Sequence, residues 1–312
     1  MGVIVSFLSG AIRLGTTFLF GSTGETITEK SGHLNLGIPG IMCFGALGGC
    51  VGVSLVGNVP VLTVLVAIIC SFLFAGALGL LYCLLTVTLR ANQNVTGLAI
   101  TTFGVGCTNF FITLVDDSSF SSASTQFTSL FPFYKSLGFV GELLFSYGIL
   151  VYLAIAIAIL TSFFLSKTKQ GLHLRAVGEN PATADAAGIN VTRYRYVATF
   201  IGSGIAGLGG LFYIMDYLTG SWEYSIDAMG WLSIALVIFT VWKPNWGILG
   251  SFAFGGLYIL ANYIKVSFSM MSILKMVPFI VTIIVLIFTS IRGKKENQPP
   301  LSLGLNYFRE ER

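Results

Sequence analysis

Charged residues are scarce in this chain: Asp, Glu, Lys and Arg make up 10% of its 312 residues, whereas 54% are hydrophobic. A soluble domain carries about a quarter charged residues, so the composition excludes a water-soluble enzyme. It also excludes a disordered chain, which requires low hydrophobicity. The net charge of +4 is spread over short loops and predicts no nucleic-acid partner. The two isolated histidines and five scattered cysteines predict no metal site.

Motifs of catalysis and nucleotide binding are also missing. No Gly-x-x-x-x-Gly-Lys-Ser/Thr segment is present, so the chain does not bind ATP through a P-loop. Residues 202–207 match the dinucleotide pattern Gly-x-Gly-x-x-Gly, but they lie in an apolar segment with no preceding strand. We interpret Gly202, Ala206 and Gly210 as a helix-packing face, with a similar seam at residues 45–52. The sequence predicts a non-enzymatic chain without catalytic residues or a cofactor.

Long apolar segments are what the chain does contain. A membrane-spanning helix needs about 20 mostly apolar residues. The long, charge-poor segments, of which the first is interrupted by Arg13, predict an all-α, polytopic membrane protein with about nine transmembrane helices, at residues 4–24, 34–57, 60–89, 94–115, 143–166, 192–217, 228–242, 245–265 and 273–291. We therefore predict a transmembrane domain over residues 1–295 and a cytosolic C-terminal tail over residues 296–312.

Basic residues are distributed unevenly between the two sides of this layout. One side carries 13 of the 17 Lys and Arg residues, and the other carries only Arg13, Lys135, Lys265 and Lys275. Cytoplasmic loops are the ones enriched in Lys and Arg. The asymmetry predicts an N-terminus outside the cell and a C-terminus in the cytoplasm.

The predicted cytosolic loop at residues 167–191 contains helix start and stop signals. Asn180 is a favoured N-cap, Pro181 suits the first helical turn, and Gly188 suits the C-cap. We predict a short helix over residues 182–187, too short to be stable alone. It either docks into a groove of a partner protein or only completes a surface connection.

Side-chain amides and hydroxyls are the polar groups predicted inside the membrane. Polar groups there are costly unless they face protein or water. Asn35, Asn92, Asn94 and Asn109 are our candidates for lining a solute path, although each can instead bond a neighbouring helix. Asp216 is the one acid near a predicted span, at its end. Neutral groups suit a neutral, hydrogen-bonding solute and argue against an ion-driven secondary transporter.

Three segments together resemble a known family, the permease subunits of ABC importers for nucleosides and simple sugars. Residues 29–42, Glu-Lys-Ser-Gly-His-Leu-Asn-Leu-Gly-Ile-Pro-Gly-Ile-Met, are similar to its E-R-[SA]-G-x-x-N-[IL]-G-x-E-G-x-M segment. Residues 92–99 resemble its N-x-x-[VI]-[ST]-G-L-A segment. Residues 171–190 closely resemble its coupling loop, G-x-x-[IL]-R-A-x-G-x-N-P-x-A-A-x-x-x-G-I. The sequence departs at Pro39, where the family usually has Glu, and His33 is unusual.

The resemblance implies a permease of the branched-chain-amino-acid type in a bacterial inner membrane. It implies a second homologous permease chain, separate ABC ATP-binding subunits and an external substrate-binding lipoprotein. Nucleosides are the favoured solute, with simple sugars as the alternative. Residues that match the coupling positions, and are implied to contact the ATP-binding subunit, are Arg175, Gly178, Glu179, Asn180, Pro181, Asp185 and Gly188.

Overall fold

The computed structural model describes residues 2–56, 59–128, 131, 138–264, 270, 273–274, 276–292 and 298–308. Within these ranges the chain is helical, without a strand. The helices are α1 Gly2–Lys30, α2 Ile38–Val56, α3 Pro60–Cys83, α4 Gln93–Phe111, α5 Phe120–Thr128, α6 Gly138–Leu144, α7 Ile149–Lys167, α8 Lys169–Glu179, α9 Pro181–Ala186, α10 Val191–Phe212, α11 Ile226–Phe239, α12 Pro244–Tyr263 and α13 Val277–Arg292. Five-residue π-helical turns extend α3, at Leu84–Thr88, and α10, at Tyr213–Tyr217.

Six of these helices are long and apolar enough to cross a membrane. They are α1, α2, α3 with its π turn, α4 extended to Leu114, α7, and α10 with its π turn. Shorter apolar helices occur at Ile226–Phe239 and Val277–Phe288. Each of the nine predicted spans falls on one of the described helices. The prediction of an all-α, polytopic membrane protein is confirmed.

Small residues bring α10 into close contact with its neighbours. α10 packs against α1, α2 and α3, and α1 also packs along α11 and α12. A Cβ atom on Gly45 of α2 would lie 2.3 Å from the Cα atom of Gly207, and one on Gly210 would lie 2.0 Å from the carbonyl oxygen of Met42. A Cβ atom on Gly202 would lie 2.5 Å from the carbonyl oxygen of Gly24. The interpretation of both glycine patterns as helix-packing faces is confirmed.

The first span is longer and more polar than predicted. α1 continues past residue 24 to Lys30 and buries two carboxyl side chains, Glu25 at 0% and Glu29 at 2% exposure. Partners from other elements compensate part of this burial: the Asn35 N–H donates to Glu25 Oε1 at 3.2 Å, and the Trp242 indole N–H donates to Glu29 Oε2. Neither carboxyl group is among the polar groups predicted inside the spans, because the first predicted span ends at residue 24 whereas α1 does not.

A partly buried ion pair joins the other half of α1 to α10. Arg13 Nη2 lies 2.8 Å from Asp216 Oδ1, and Asp216, in the π turn, is 1% exposed. The sequence places Asp216 at the end of one predicted span and Arg13 within another, at residues 4–24, without joining them. Since both belong to apolar helices, each charge gains its counter-ion from the other helix.

Replacing Gly210 by alanine tests the close packing of α10. Alanine favours a helix over glycine by about 1 kcal/mol, but its Cβ would meet the backbone of Met42, and overpacking costs about 1–3 kcal/mol. We expect Gly210→Ala to lower the thermal unfolding midpoint of the purified protein. The control is Gly106→Ala in α4, where a Cβ atom meets nothing within 4 Å. Equal midpoints for the two variants would contradict the packing assignment.

Candidate functional site at one end of the bundle

Two short helices, α8 and α9, lie between the spans α7 and α10. Thr168 caps α8 by accepting from the Gly171 N–H at 3.0 Å. Asn180 caps α9 by accepting from the Thr183 N–H at 3.0 Å, with Pro181 in the first turn. Gly188 ends the segment with a positive φ of 83°. The predicted cap, helix and glycine stop are confirmed, and α8 is an additional helix that the cap signal at Thr168 identifies.

The residues matched to the coupling positions differ in exposure. Arg175, Glu179, Asn180 and Gly188 are exposed, Pro181 and Asp185 are half-buried, and Gly178 is buried. Exposed side chains on a rigidly capped helix pair are available to a partner, whereas Gly178 faces the rest of the protein. Their contact with an ATP-binding subunit stays a prediction.

Gly178 allows α8 to lie directly against the end of α1. A Cβ atom at this position would lie 2.3 Å from the Lys30 carbonyl oxygen and 3.0 Å from the Gly32 nitrogen. The Gly178 carbonyl accepts hydrogen bonds from the Ser302 N–H at 3.0 Å and the Ser302 hydroxyl at 2.6 Å. Gly178 therefore joins the helix pair both to α1 and to the C-terminal segment.

The turn between α1 and α2, residues 31–37, is the element that Gly178 approaches, and we call it the buried turn. The Leu34 N–H donates to Gln93 Oε1 at 2.8 Å, and the Asn35 N–H donates to Glu25 Oε1. The Tyr82 hydroxyl donates to the Leu34 carbonyl. Side chains from α1, α3 and α4 thus complete the hydrogen bonds that a buried backbone requires.

His33, the residue unusual for the family, is fully buried within this turn. Its Nδ1 lies 3.1 Å from Thr199 Oγ1, and its Nε2 lies 2.8 Å from Thr86 Oγ1 in the π turn of α3. Burial, with a smaller contribution from the positive charge of Arg195, lowers the pKa of His33 to about 3. The imidazole is therefore neutral and connects α3 to α10 by hydrogen bonds.

Residues 298–308, which we call the C-terminal strap, pack onto the same end. Asn306 Nδ2 donates to the carbonyl oxygens of Arg90 at 2.8 Å and Ala91 at 3.2 Å, just before α4. Gln93 Nε2 donates to Asn306 Oδ1 at 3.2 Å. The Tyr307 hydroxyl donates to Asp185 Oδ2 in α9 at 2.8 Å. The strap, expected from sequence only as a tail, thereby joins α9 to the start of α4.

A mainly basic cleft of about 720 Å³ opens beside α8. Lys30, Arg175 and Lys243 line it together with one acid, Glu179. Trp246 also lines the cleft and is 63% exposed. The cleft offers excess positive charge and an exposed aromatic ring to a partner at this end.

The four asparagines proposed for the solute path occupy three different environments. Asn35 is buried in the turn, where its Oδ1 accepts from the Gly37 N–H at 2.9 Å. Asn92 is exposed and caps α4 by accepting from the Val95 N–H at 3.1 Å. Asn94 and Asn109 lie 15 residues apart in α4, about 60° around the helix axis. These two and the exposed Thr102 therefore share one face of α4, and their role in transport stays a prediction.

Candidate membrane spans that pack through small residues, with a capped helix pair between two of them, define a polytopic membrane protein. Residues 7–286 match the family described as branched-chain amino acid transport system / permease component. The chain belongs to this family, as a transport subunit.

Three curated relatives cover most of the chain. The chain is 34% identical to a putative glucose ABC transporter permease protein, TsgC13, of Haloferax volcanii, over 82% of this chain and 76% of that protein. It is 31% identical to the nucleoside ABC transporter permease protein NupC of Lactococcus lactis subsp. cremoris, over 95% of this chain and 94% of that protein. It is 31% identical to the guanosine ABC transporter permease protein NupQ of Bacillus subtilis, over 93% of this chain and 92% of that protein. No solved structure matches significantly.

Replacing Asn306 by alanine tests the attachment of the strap. The variant loses the hydrogen bonds to Arg90, Ala91 and Gln93. We expect proteolysis of the strap to accelerate about tenfold, because lowering the free energy of local opening by about 1.4 kcal/mol makes the open form about ten times more populated. Asn109→Ala, near the other end of α4, is the control and should be cleaved at the wild-type rate. Unchanged cleavage of the Asn306 variant would contradict the attachment.

Proposed function

We propose that this chain is the permease subunit of an ATP-driven ABC importer, and that it carries nucleosides across the bacterial inner membrane. The observation that carries this proposal is the helix pair α8–α9, which is capped, exposed on one side and fixed to the bundle on the other. Two relatives named for nucleoside and guanosine transport, each aligned over more than nine-tenths of both chains, support the solute class.

Docking of an ATP-binding subunit onto α8–α9 explains why this pair is so firmly held. A helix that transmits force needs a rigid connection to the spans, and Gly178 and Ser302 provide one. Closure of the ATP-binding subunits would then move α8–α9 and tilt the spans between two arrangements. ATP is hydrolysed by the partner, and this chain converts the movement into transport.

Charge complementarity indicates how the ATP-binding subunit contacts this end. The cleft beside α8 contains three cations and one carboxylate. A partner surface with acidic side chains is therefore attracted and oriented by it. Arg175 belongs both to this cleft and to the family's coupling positions, so we assign it the main contact.

The exposed face of α4 is our candidate wall of the solute path. It combines Asn94, Thr102 and Asn109 with apolar side chains, whereas Gly104 on the opposite side packs against Gly40 of α2. Neutral amides and hydroxyls replace the water lost by a nucleoside without holding a charge. A second permease chain facing α4 would enclose the path, and an external binding lipoprotein would deliver the solute.

Charge reversal at Arg175 tests the coupling assignment. We expect Arg175→Glu to reduce uptake by the complete transporter to below about 3% of wild type, because disrupting an interfacial charge pair costs about 2–5 kcal/mol. Gly188→Trp should act likewise, since its φ of 83° strains any side chain. Stimulation of ATP hydrolysis should fall with uptake, while membrane insertion remains normal.

The matched control for that experiment is Lys167→Glu, a charge reversal of equal size at the exposed end of α7. It lies outside the α8–α9 surface and should retain most of the uptake. Wild-type uptake by both Arg175→Glu and Gly188→Trp would reject the assignment.

Cysteine labelling in intact cells tests the proposed orientation. Ser121 and Thr183 are both exposed and lie on opposite sides of the predicted topology. In a background without native cysteines, Ser121→Cys should react with a membrane-impermeant thiol reagent, and Thr183→Cys should react only after permeabilisation. The reverse pattern would show that the termini are oriented the other way.

Competition for uptake tests the solute and the path together. Cells carrying the complete transporter should take up uridine, adenosine or both in preference to ribose and an amino acid. Alanine at Asn35, Asn92, Asn94 and Asn109 together should lower uptake about tenfold. Thr125→Ala, at an exposed position of α5, is the control and should keep wild-type uptake. Preferential uptake of ribose would favour the simple-sugar alternative. Uptake of the amino acid alone would reject the proposed solute class. Normal uptake by the fourfold variant would reject the proposed solute path.

A further inference from the structure

A groove of about 1040 Å³ runs between α7 and α10, with Ile27 of α1 at its base. Its walls are apolar side chains of both helices: Ile157, Leu160, Phe164, Val197, Ile201 and Ile205. Residues 197 to 205 cover about 12 Å of helix at 1.5 Å per residue. The apolar wall that α10 contributes is therefore about 12 Å long.

The walls of this groove belong to surfaces that face outward from the bundle. Leu160 is 64% exposed and Val197 is 49% exposed. Both lie in helices that are candidate membrane spans. Because an exposed apolar face of a spanning helix is surrounded by hydrocarbon, an acyl chain is the available molecule that fits between them.

Cationic and hydrogen-bonding groups close one end of the groove. Lys169 at the start of α8 and Arg193 near the start of α10 both line it. Beside them, Tyr194 donates to Gln170 Oε1 at 2.5 Å, and its hydroxyl lies 3.0 Å from Nδ1 of His173. Among the described lining residues there is no carboxylate to neutralise the two cations. This end is suited to a negatively charged headgroup.

We propose that the groove binds one anionic phospholipid, with an acyl chain between α7 and α10 and the phosphate at Lys169 and Arg193. Apolar burial and headgroup charge are provided by adjoining parts of one site, which is the combination that retains anionic lipids between spanning helices. Gly188 and Ile189 border the headgroup end. The lipid would therefore contact the connection between α9 and α10, and the site does not depend on which solute is carried.

Native mass spectrometry of the purified, delipidated full chain tests this proposal. Phosphatidylglycerol and phosphatidylcholine with identical acyl chains are added in competition. We expect the wild-type protein to favour phosphatidylglycerol about tenfold. Both lipids present a phosphate to Lys169 and Arg193, but the choline cation of phosphatidylcholine is repelled by these two positive charges. The double variant Lys169→Gln, Arg193→Gln should lose this preference.

Two further variants separate the groove from general charge attraction. Ile201→Trp fills the apolar part without changing charge and should weaken binding of both lipids. The double variant Lys30→Gln, Lys243→Gln loses two positive charges in the cleft beside α8. It should keep the preference for phosphatidylglycerol. Thermal unfolding in a zwitterionic detergent verifies that all variants are folded.

The outcomes that would overturn the proposal are distinct. Equal binding of the two lipids by the wild-type protein would show that the headgroup is not recognised. If the Lys169/Arg193 variant and the Lys30/Lys243 variant lose the preference for phosphatidylglycerol equally, the lipid is attracted only by the net charge of the protein. Displacement of the lipid by millimolar inorganic phosphate would show a phosphate site, and undiminished binding by Ile201→Trp would place the lipid outside the groove.

Discussion

The constraint on which this structure depends is the burial of the turn between α1 and α2. A buried backbone group without a partner costs about 1–3 kcal/mol, and residues 31–37 place several such groups between helices. Glu25, Tyr82 and Gln93 provide the missing partners from α1, α3 and α4. Thr101 adds a hydrogen bond from α4 to the Leu36 carbonyl at 2.8 Å. The turn therefore fixes the relative positions of four helices.

The same turn connects the membrane spans to the helix pair. Gly32 lies against Gly178, and Gln93 bonds the turn with its oxygen and the C-terminal strap with its nitrogen. The strap in turn reaches α9 through the hydrogen bond from Tyr307 to Asp185. Under the proposed function, movement of α8–α9 reaches α4 along two routes that meet at Gln93. This arrangement connects the proposed ATPase contact to the proposed solute path.

Short-range signals predicted most of the fold, whereas tertiary partners accounted for what was missed. Apolar length identified the spans, and Asn180, Pro181 and Gly188 identified α9, because capping depends on neighbouring residues. Glu25 and Glu29 ended the first predicted span too early, since their partners lie outside α1: Asn35 is 10 positions from Glu25, and Trp242 is 213 positions from Glu29. The packing of the strap could not be predicted for the same reason: Asn306 forms hydrogen bonds with residues more than 200 positions away. Of the proposed path residues, Asn94 and Asn109 share a face because their separation of 15 residues is close to four helical turns. Asn35 lies in a turn, where helical periodicity does not apply.

The most direct test of this account measures ATP hydrolysed per solute transported in liposomes that contain the complete transporter. Gln93→Leu keeps the approximate side-chain size but removes the hydrogen bonds to the buried turn and the strap. If the turn transmits movement from α8–α9 to α4, the variant should still hydrolyse ATP but transport much less solute per ATP. Thr125→Leu, at an exposed position of α5 away from the turn, the strap and the cleft beside α8, serves as the control and should keep the wild-type ratio. A wild-type ratio for Gln93→Leu would contradict the central role of the buried turn.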